Sequence, residues 1–337
     1  MLIYYESKIK DLSLTKEIFN KFWNCEKIEI QHYKNLFDSN IWNYKTEKLI
    51  ILAKQEHISI LNTPNNYWFP WKSFFIKPSL NCFFQCKYCY LQWTFKNRFP
   101  VFFLNYEDIQ KEILNKITYE RKKWFKWRIT FYASNYTDLL ATEEISQFHK
   151  YFSPFCETLP ENVLIETRTK SSNINFLIKY SEELKKQCKK PTQKMEFAFS
   201  LSPNEITKTY ELWTTSLDEK ITAINELLKR WFRVWLRFLP LLPINNFEEI
   251  YWKFLDKVIS EIDINKISSI TIAPLIYNQW DYNKITKIYQ KDKDFSFVNN
   301  LQKNENNLRT CSNYEISTFK NLFKNKFDKI KIFRDYI

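Results

Sequence analysis

Not one of the 337 residues is glycine. An average composition would supply roughly two dozen. Glycine takes positive φ at little steric cost, so it normally closes helix C-termini and tight turns. A chain without it must put another residue at each such point. Tryptophan is the opposite anomaly, with twelve copies. Trp231 follows a helical run, Ser216 to Arg230, and precedes a strand, which makes it a C′ position. Trp71, Trp93 and Trp127 also lie in tight connections. We therefore expect several tryptophan positions to be UGA codons that the organism reads as glycine. The alternative, a tryptophan-rich protein, leaves the missing glycines without a reason.

From Lys72 onward a strand–helix rhythm sets in, which argues for parallel βα units. The strands are expected at 73–76, 128–132, 163–167, 195–200, 232–238 and 268–273. Helices are expected between them, at about 106–123 with Asn105 as cap, near 142–152, from about Ile174, from Ser216 and at 247–262. Ser216 and Glu219 form a capping-box signature. Six such units fit an α/β fold built as a partial TIM barrel, (β/α)6, over residues 71–275. An N-terminal accessory region (1–70) precedes it and a helical C-terminal extension (276–337) follows. In barrels of this kind chemistry gathers at the C-terminal ends of the strands.

The stretch after the first strand, KPSLNCFFQCKYCYLQW, places Cys82, Cys86 and Cys89 in a C-x3-C-x2-C spacing. Three thiolates on one loop suit a soft metal centre. A closed zinc site needs a fourth ligand, and the three histidines, His32, His57 and His149, lie elsewhere in the chain. Three cysteines on a four-iron cluster would leave one iron open. Three buried thiols clustered by chance, or zinc with a remote fourth ligand, are the plainer readings.

The formal net charge is +13. It fits a nucleic-acid partner held through phosphates, but lysine spread by AT-rich codons gives the same sum. No apolar run approaches the roughly 18 residues of a membrane span. The opening residues, MLIYYESKIKDL, lack the apolar core and cleavage site of a signal peptide. A reducing, cytoplasmic setting is therefore expected, without a membrane partner.

The cysteine spacing, with Tyr88 before its last member, resembles the radical SAM superfamily. Further segments are similar to spore photoproduct lyase and its DNA photolyase-like relatives: CKYCYLQW, FYASNYTD (131–138), ETRTKSSNI (166–174), FSLSPNEI (199–206), ELWTTSLDEKI (211–221) and RWFRVWLRFLPLLP (230–243). Within them Trp93, Trp213, Trp231 and Trp235 fall on glycine positions of the family. The resemblance implies a 4Fe–4S cluster on Cys82, Cys86 and Cys89, and S-adenosylmethionine as cofactor. It implies that the reduced cluster cleaves the cofactor to a 5′-deoxyadenosyl radical, which abstracts hydrogen from a substrate, with damaged DNA the leading candidate. Tyr88 would lie near the adenine, Ser134 and Asn135 near the methionine moiety, and Lys170 and Ser200 on the cofactor. Tyr90 would pass a hydrogen atom during turnover. The electron donor would be a flavodoxin or a ferredoxin.

One departure stands out. The hydrogen-donor cysteine of the family falls at Asn135 or Tyr136 here, and neither is a thiol. Cys25, Cys156, Cys188 or Cys311 could substitute only if the fold brought one to the site. A radical SAM enzyme acting on a small molecule or peptide, and a non-catalytic nucleic-acid-binding protein with a structural metal, remain the alternatives.

Overall fold

The structure, a computed structural model, describes residues 1–37, 49–58, 60–64, 71–96, 98–327 and 332–334. Its main sheet contains the six expected strands in chain order: Lys72–Phe75, Ile129–Tyr132, Val163–Thr169, Met195–Ser200, Arg233–Leu241 and Ser269–Pro274. Each pairs parallel with the next. Ile332–Arg334 extends the sheet beyond the sixth strand, and Leu61–Asn62 pairs antiparallel with the first. The sheet curls into a half-barrel.

Side chains alternate across each strand, so the sheet has two unlike faces. Phe131, Ile165, Phe197 and Leu236 point outward into the main core, against the helices. The inner face carries Phe75, Tyr132, Ala198 and Trp235. It also carries a charged ladder. Glu166 pairs with Arg168 at 2.6 Å and Arg237 at 3.3 Å, and Glu196 pairs with Arg233 at 2.7 Å and Arg128 at 3.2 Å. Four guanidinium groups thus face two carboxylates, both fully buried.

The helices lie close to their expected places. Tyr106–Lys122 follows Asn105, but the Asn105 side chain does not cap it. Instead it donates to Gln55 O and Asp108 and accepts from Gln55 N, tying the helix start to the N-terminal region. The helix expected near 142–152 is two, Glu143–Ser146 and Phe148–Thr158, separated by Gln147 at φ 48. The third begins at Asn175 with no side-chain cap. Ser216 and Glu219 form the full capping box opening Leu217–Lys229. Ser216→Ala is expected to cost about 1 kcal/mol of stability, read as a lower denaturation midpoint.

The N-terminal residues build a second sheet, in the order Glu26–Ile30, Leu2–Glu6, Leu49–Ala53, Val101–Phe103, Ser79–Leu80. Its last two strands flank the cysteine loop on either side in the chain. The accessory region therefore pins both ends of that loop. Beyond the sixth strand come a helix, Gln279–Ile288, a 3-10 stretch, Lys293–Asn300, and a small antiparallel sheet, before the helix Asn313–Lys326. Among the described residues no helix is long and apolar enough to cross a membrane.

Candidate active site

The cysteine loop sits at the C-terminal end of the first barrel strand. Asn81 opens it in the left-handed region, at φ 66, and its side-chain amide donates to Phe99 O at 2.9 Å. Midway, Gln85–Cys86 forms a short antiparallel pair with Glu211–Leu212, Cys86 lying opposite Glu211. Lys87 N donates to Tyr210 O at 2.8 Å, continuing the pairing. The C-terminal segment closes over the outside of the loop. Tyr277 donates its hydroxyl to Tyr88 O at 2.8 Å, Lys87 pairs with Asp292 at 2.7 Å, and the Trp93 indole N–H donates to Asp281 at 2.6 Å.

All seven cysteines are free. Burial pushes the pKa of the Cys82, Cys86 and Cys89 thiols up. The negative charge of Asp138 adds to this at Cys82, and that of Glu211 at Cys86. Each of the three thiols also lies within electrostatic reach of another, Cys89 with Cys82 and all three around Cys86. Among the described residues no three His, Cys, Asp or Glu side chains are gathered tightly enough to share one metal ion. Thiolates that each take a different iron of a cluster need no such convergence.

Behind the loop lies a network that the sequence did not single out. Its hub is the fully buried carboxylate of Glu211. Oε1 accepts from the Tyr88 hydroxyl, from Lys170 Nζ at 2.9 Å and from Ser202 Oγ at 2.7 Å. Oε2 faces Lys220 Nζ at 3.8 Å, an ion-pair distance without a hydrogen bond. Burial would raise the Glu211 pKa, but the two lysines, with Tyr88 and Ser202, hold it at about 2. In return Glu211 lifts the Lys170 ammonium above the ordinary lysine value, although burial opposes it. One carboxylate thus joins the cysteine loop, the third-strand loop, the fourth-strand loop and the helix Leu217–Lys229.

A second carboxylate, Asp138, organises the third-strand loop. It accepts from Lys170 N at 2.7 Å, Thr169 Oγ1 at 2.9 Å and Ala141 N at 3.0 Å. Lys170 is therefore held at both its backbone and its ammonium. The Lys170 ammonium lies 5.8 Å from the centre of the Tyr88 ring.

The other expected site residues lie at the same end of the barrel. Ser134, two residues past the second strand, is buried, and its hydroxyl has no hydrogen-bond partner among the described residues. Ser200 is the buried last residue of the fourth strand, and the alternation from Glu196 and Ala198 puts it on the inner face. Asn135 engages through its main chain, accepting from the Tyr90 hydroxyl at 2.5 Å. Tyr136, one of the two positions on which the resemblance puts the family's donor cysteine, packs edge-on against Tyr90, with 6.5 Å between ring centres. The remaining cysteines have other surroundings. Cys156 is buried in the outer helix Phe148–Thr158 and Cys188 is exposed past the end of Asn175–Lys186. Cys25 belongs to the N-terminal region, and Cys311 is buried just before the last helix.

A model of the spore photoproduct lyase family matches residues 1–307. The chain belongs to that family. It is therefore a radical SAM enzyme of the spore photoproduct lyase type, with a 4Fe–4S cluster and S-adenosylmethionine as cofactors. Among solved structures, the fold is similar to a spore photoproduct lyase mutant with bound AdoMet and dinucleoside spore photoproduct. The TM-score is 0.79 at 15% identity, over 100% of this chain and 98% of that one. A second structure, of spore photoproduct lyase complexed with dinucleoside spore photoproduct, aligns at TM-score 0.79 and 15% identity, over 99% and 98% of the two chains. A search of curated proteins finds no match.

The side chains present fit the family's cofactors. Three free thiols share a loop at the barrel mouth. Ser134 offers an unpartnered buried hydroxyl. Lys170 carries three donors of which Glu211 takes one, so donors remain for a carboxylate.

Proposed function

We propose that this enzyme repairs a thymine photoproduct of the spore-photoproduct type in DNA. Cys82, Cys86 and Cys89 hold the cluster, and Tyr88, Ser134, Asn135, Lys170 and Ser200 bind S-adenosylmethionine. The observation that carries this reading is the shared location of these groups. They sit at one end of a half-barrel whose inner face sets four guanidinium groups against two carboxylates. A positive interior of that kind favours a phosphate-bearing substrate.

When bound, the reduced cluster on Cys82, Cys86 and Cys89 and S-adenosylmethionine would supply a 5′-deoxyadenosyl radical as the hydrogen abstractor. The chain's own groups have separate tasks. The Lys170 ammonium, fixed by Glu211 and Asp138, meets the methionine carboxylate in a charge-assisted hydrogen bond. Ser134 and Ser200 supply hydroxyls from the second and fourth strands, and the Tyr88 ring offers a flat apolar surface for the adenine. Tyr90, its hydroxyl held on Asn135 O and its ring against Tyr136, would give its phenolic hydrogen atom to the thymine radical in place of a thiol and would regain one from 5′-deoxyadenosine. A small cytoplasmic flavodoxin or ferredoxin supplies the electron.

Tyr90→Phe is expected to retain the cluster and to cleave S-adenosylmethionine, while product formation per cofactor cleaved falls. Comparing 5′-deoxyadenosine with repaired product checks this. The function itself is tested by anaerobic reconstitution with iron and sulfide, followed by incubation with reductant, S-adenosylmethionine and dinucleoside spore photoproduct. The expected result is conversion of the lesion to two intact thymines. Cofactor cleavage that leaves the lesion unchanged would remove the repair reading.

A further inference from the structure

We propose that Glu211 and Lys220 are positioning residues that set the reduction potential of the cluster through opposite charges placed behind Cys86. The proposal rests on the reading that Cys82, Cys86 and Cys89 hold that cluster. Three features of the fold carry it. Glu211 lies directly opposite Cys86 in a two-stranded pair, so its place relative to the loop is fixed by backbone hydrogen bonds. Lys220 is fully buried and its Nζ has no hydrogen-bond partner among the described residues, yet it lies 3.8 Å from Glu211 Oε2. A buried lysine is costly unless its charge is used, and one carboxylate already occupied by Lys170, Tyr88 and Ser202 does not fully repay it.

The third feature is the company Lys220 keeps. Burial pushes its pKa below the ordinary lysine value, Glu211 and Asp138 oppose that, and Lys170 and Cys86 also lie within electrostatic reach. Reduction of the cluster adds one electron. A buried ammonium nearby stabilises the reduced form and raises the potential, and a carboxylate lowers it. Neither residue need touch the cofactor or the substrate for this.

The experiment is potentiometric titration of the reconstituted full-length protein, followed by electron paramagnetic resonance of the reduced cluster. Glu211→Gln keeps the shape and removes a negative charge, so the midpoint should rise. Lys220→Met removes a positive charge, so the midpoint should fall, and Lys220→Arg should return it toward the wild-type value. A purely structural role would lower stability in all variants without shifts of opposite sign. Midpoints that move together, or that do not move, overturn the proposal. A wild-type protein that holds no cluster, judged first by iron content and visible absorption, overturns the ligand assignment instead.

The backbone independently supports a second inference. We infer that positions 124, 213 and 231 are glycine in the protein that the organism makes, its UGA codons being read as glycine. Among the described residues positive φ occurs at eight, and three of them are Trp124 (62°), Trp213 (69°) and Trp231 (67°). A bulky side chain there is a true outlier. Trp231 N donates to Leu228 O and Phe232 N to Leu227 O, the two bonds of a Schellman motif with Trp231 at C′. Trp124 N to Arg121 O and Phe125 N to Glu120 O repeat the motif after Tyr106–Lys122. Trp213 is third in the turn closed by Thr214 N on Glu211 O, where its positive φ favours glycine. All three indoles are exposed, at 83%, 75% and 62% for Trp124, Trp213 and Trp231. Cys188 fills a C′ position of the same kind at φ 58, so glycine is favoured there rather than obligatory.

Trp93 and Trp235 carry no such backbone signature. Trp93 holds a hydrogen bond to Asp281, and Trp235 is fully buried on the inner face, edge-on to Trp71. The test is the gene sequence together with mass spectrometry of the protein from its native source. UGA codons and glycine masses at 124, 213 and 231 are expected. UGG codons, or tryptophan masses, overturn the inference.

Discussion

Cys86→Ala is expected to abolish cluster assembly and to reduce 5′-deoxyadenosine formation to the level of a protein-free control. Cys86 is the most enclosed of the three thiols, packed into the main core and paired through its backbone with Glu211. In the metal-free protein, burial and the Glu211 charge favour the neutral thiol. Iron binding must drive that proton off, so cluster binding and the local fold are coupled. With alanine in place, two thiolates remain for a centre that needs three, and the other four cysteines lie in the N-terminal region, in or after outer helices, and before the last helix. Ser202 and Lys170 are committed to Glu211, and among the described residues His149 is bound to Glu143 at 2.6 Å within an outer helix. Iron content and visible absorption measure the loss directly. Cys156→Ala is the control. It removes an equally buried thiol from an outer helix, so it should cost stability and leave the cluster intact. Retained iron and cofactor cleavage in Cys86→Ala would remove the ligand assignment.

The half-barrel was legible in the sequence because each βα unit is written in long periodic segments. Leu217–Lys229 shows the rule and its limit. Its buried positions, Leu217, Ile221, Ile224, Leu227 and Leu228, recur at helical spacing, and Ser216 and Glu219 mark its start. Lys220 occupies that same buried stripe. A charged residue on an apolar helix face was the available signal for the network behind the cluster. Glu211 gave none, since a single acid before a turn looks like any solvated loop residue. Its importance comes from pairing with Cys86, a contact between residues 125 positions apart in register only after folding.

The N-terminal sheet escaped for a related reason. Two of its five strands, Ser79–Leu80 and Val101–Phe103, are two and three residues long and come from either side of the cysteine loop. No period is visible over so few residues, and their role is set by partners from Leu49–Ala53. Asn105 was correctly placed before its helix, but its amide bonds to Gln55 outcompete the cap. Tertiary hydrogen bonds decide such cases, and a local rule cannot anticipate them.

Replacing Trp124, Trp213 and Trp231 together by glycine is expected to stabilise the fold by about 2 kcal/mol. The left-handed conformation costs an L-residue roughly 1–2 kcal/mol, and glycine returns roughly 0.5 kcal/mol or more of that through its larger unfolded-state entropy. Little packing is lost, because all three indoles are exposed. Trp231 is the least favourable of the three. The Lys190 ammonium lies 3.9 Å from its ring centre, a contact worth about 0.5–1 kcal/mol at an exposed site. Trp127→Gly separates the backbone effect from the removal of surface tryptophan. Trp127 is also exposed, at 74%, but is not among the residues with positive φ. Its replacement should therefore destabilise, by about 0.5–1 kcal/mol. Chemical denaturation of the four single variants and the triple variant reads these differences as midpoint shifts. If Trp124→Gly and Trp213→Gly lower the midpoint as Trp127→Gly does, positive φ exacts no penalty at these turns. The structural case for glycine there would then rest on exposure alone.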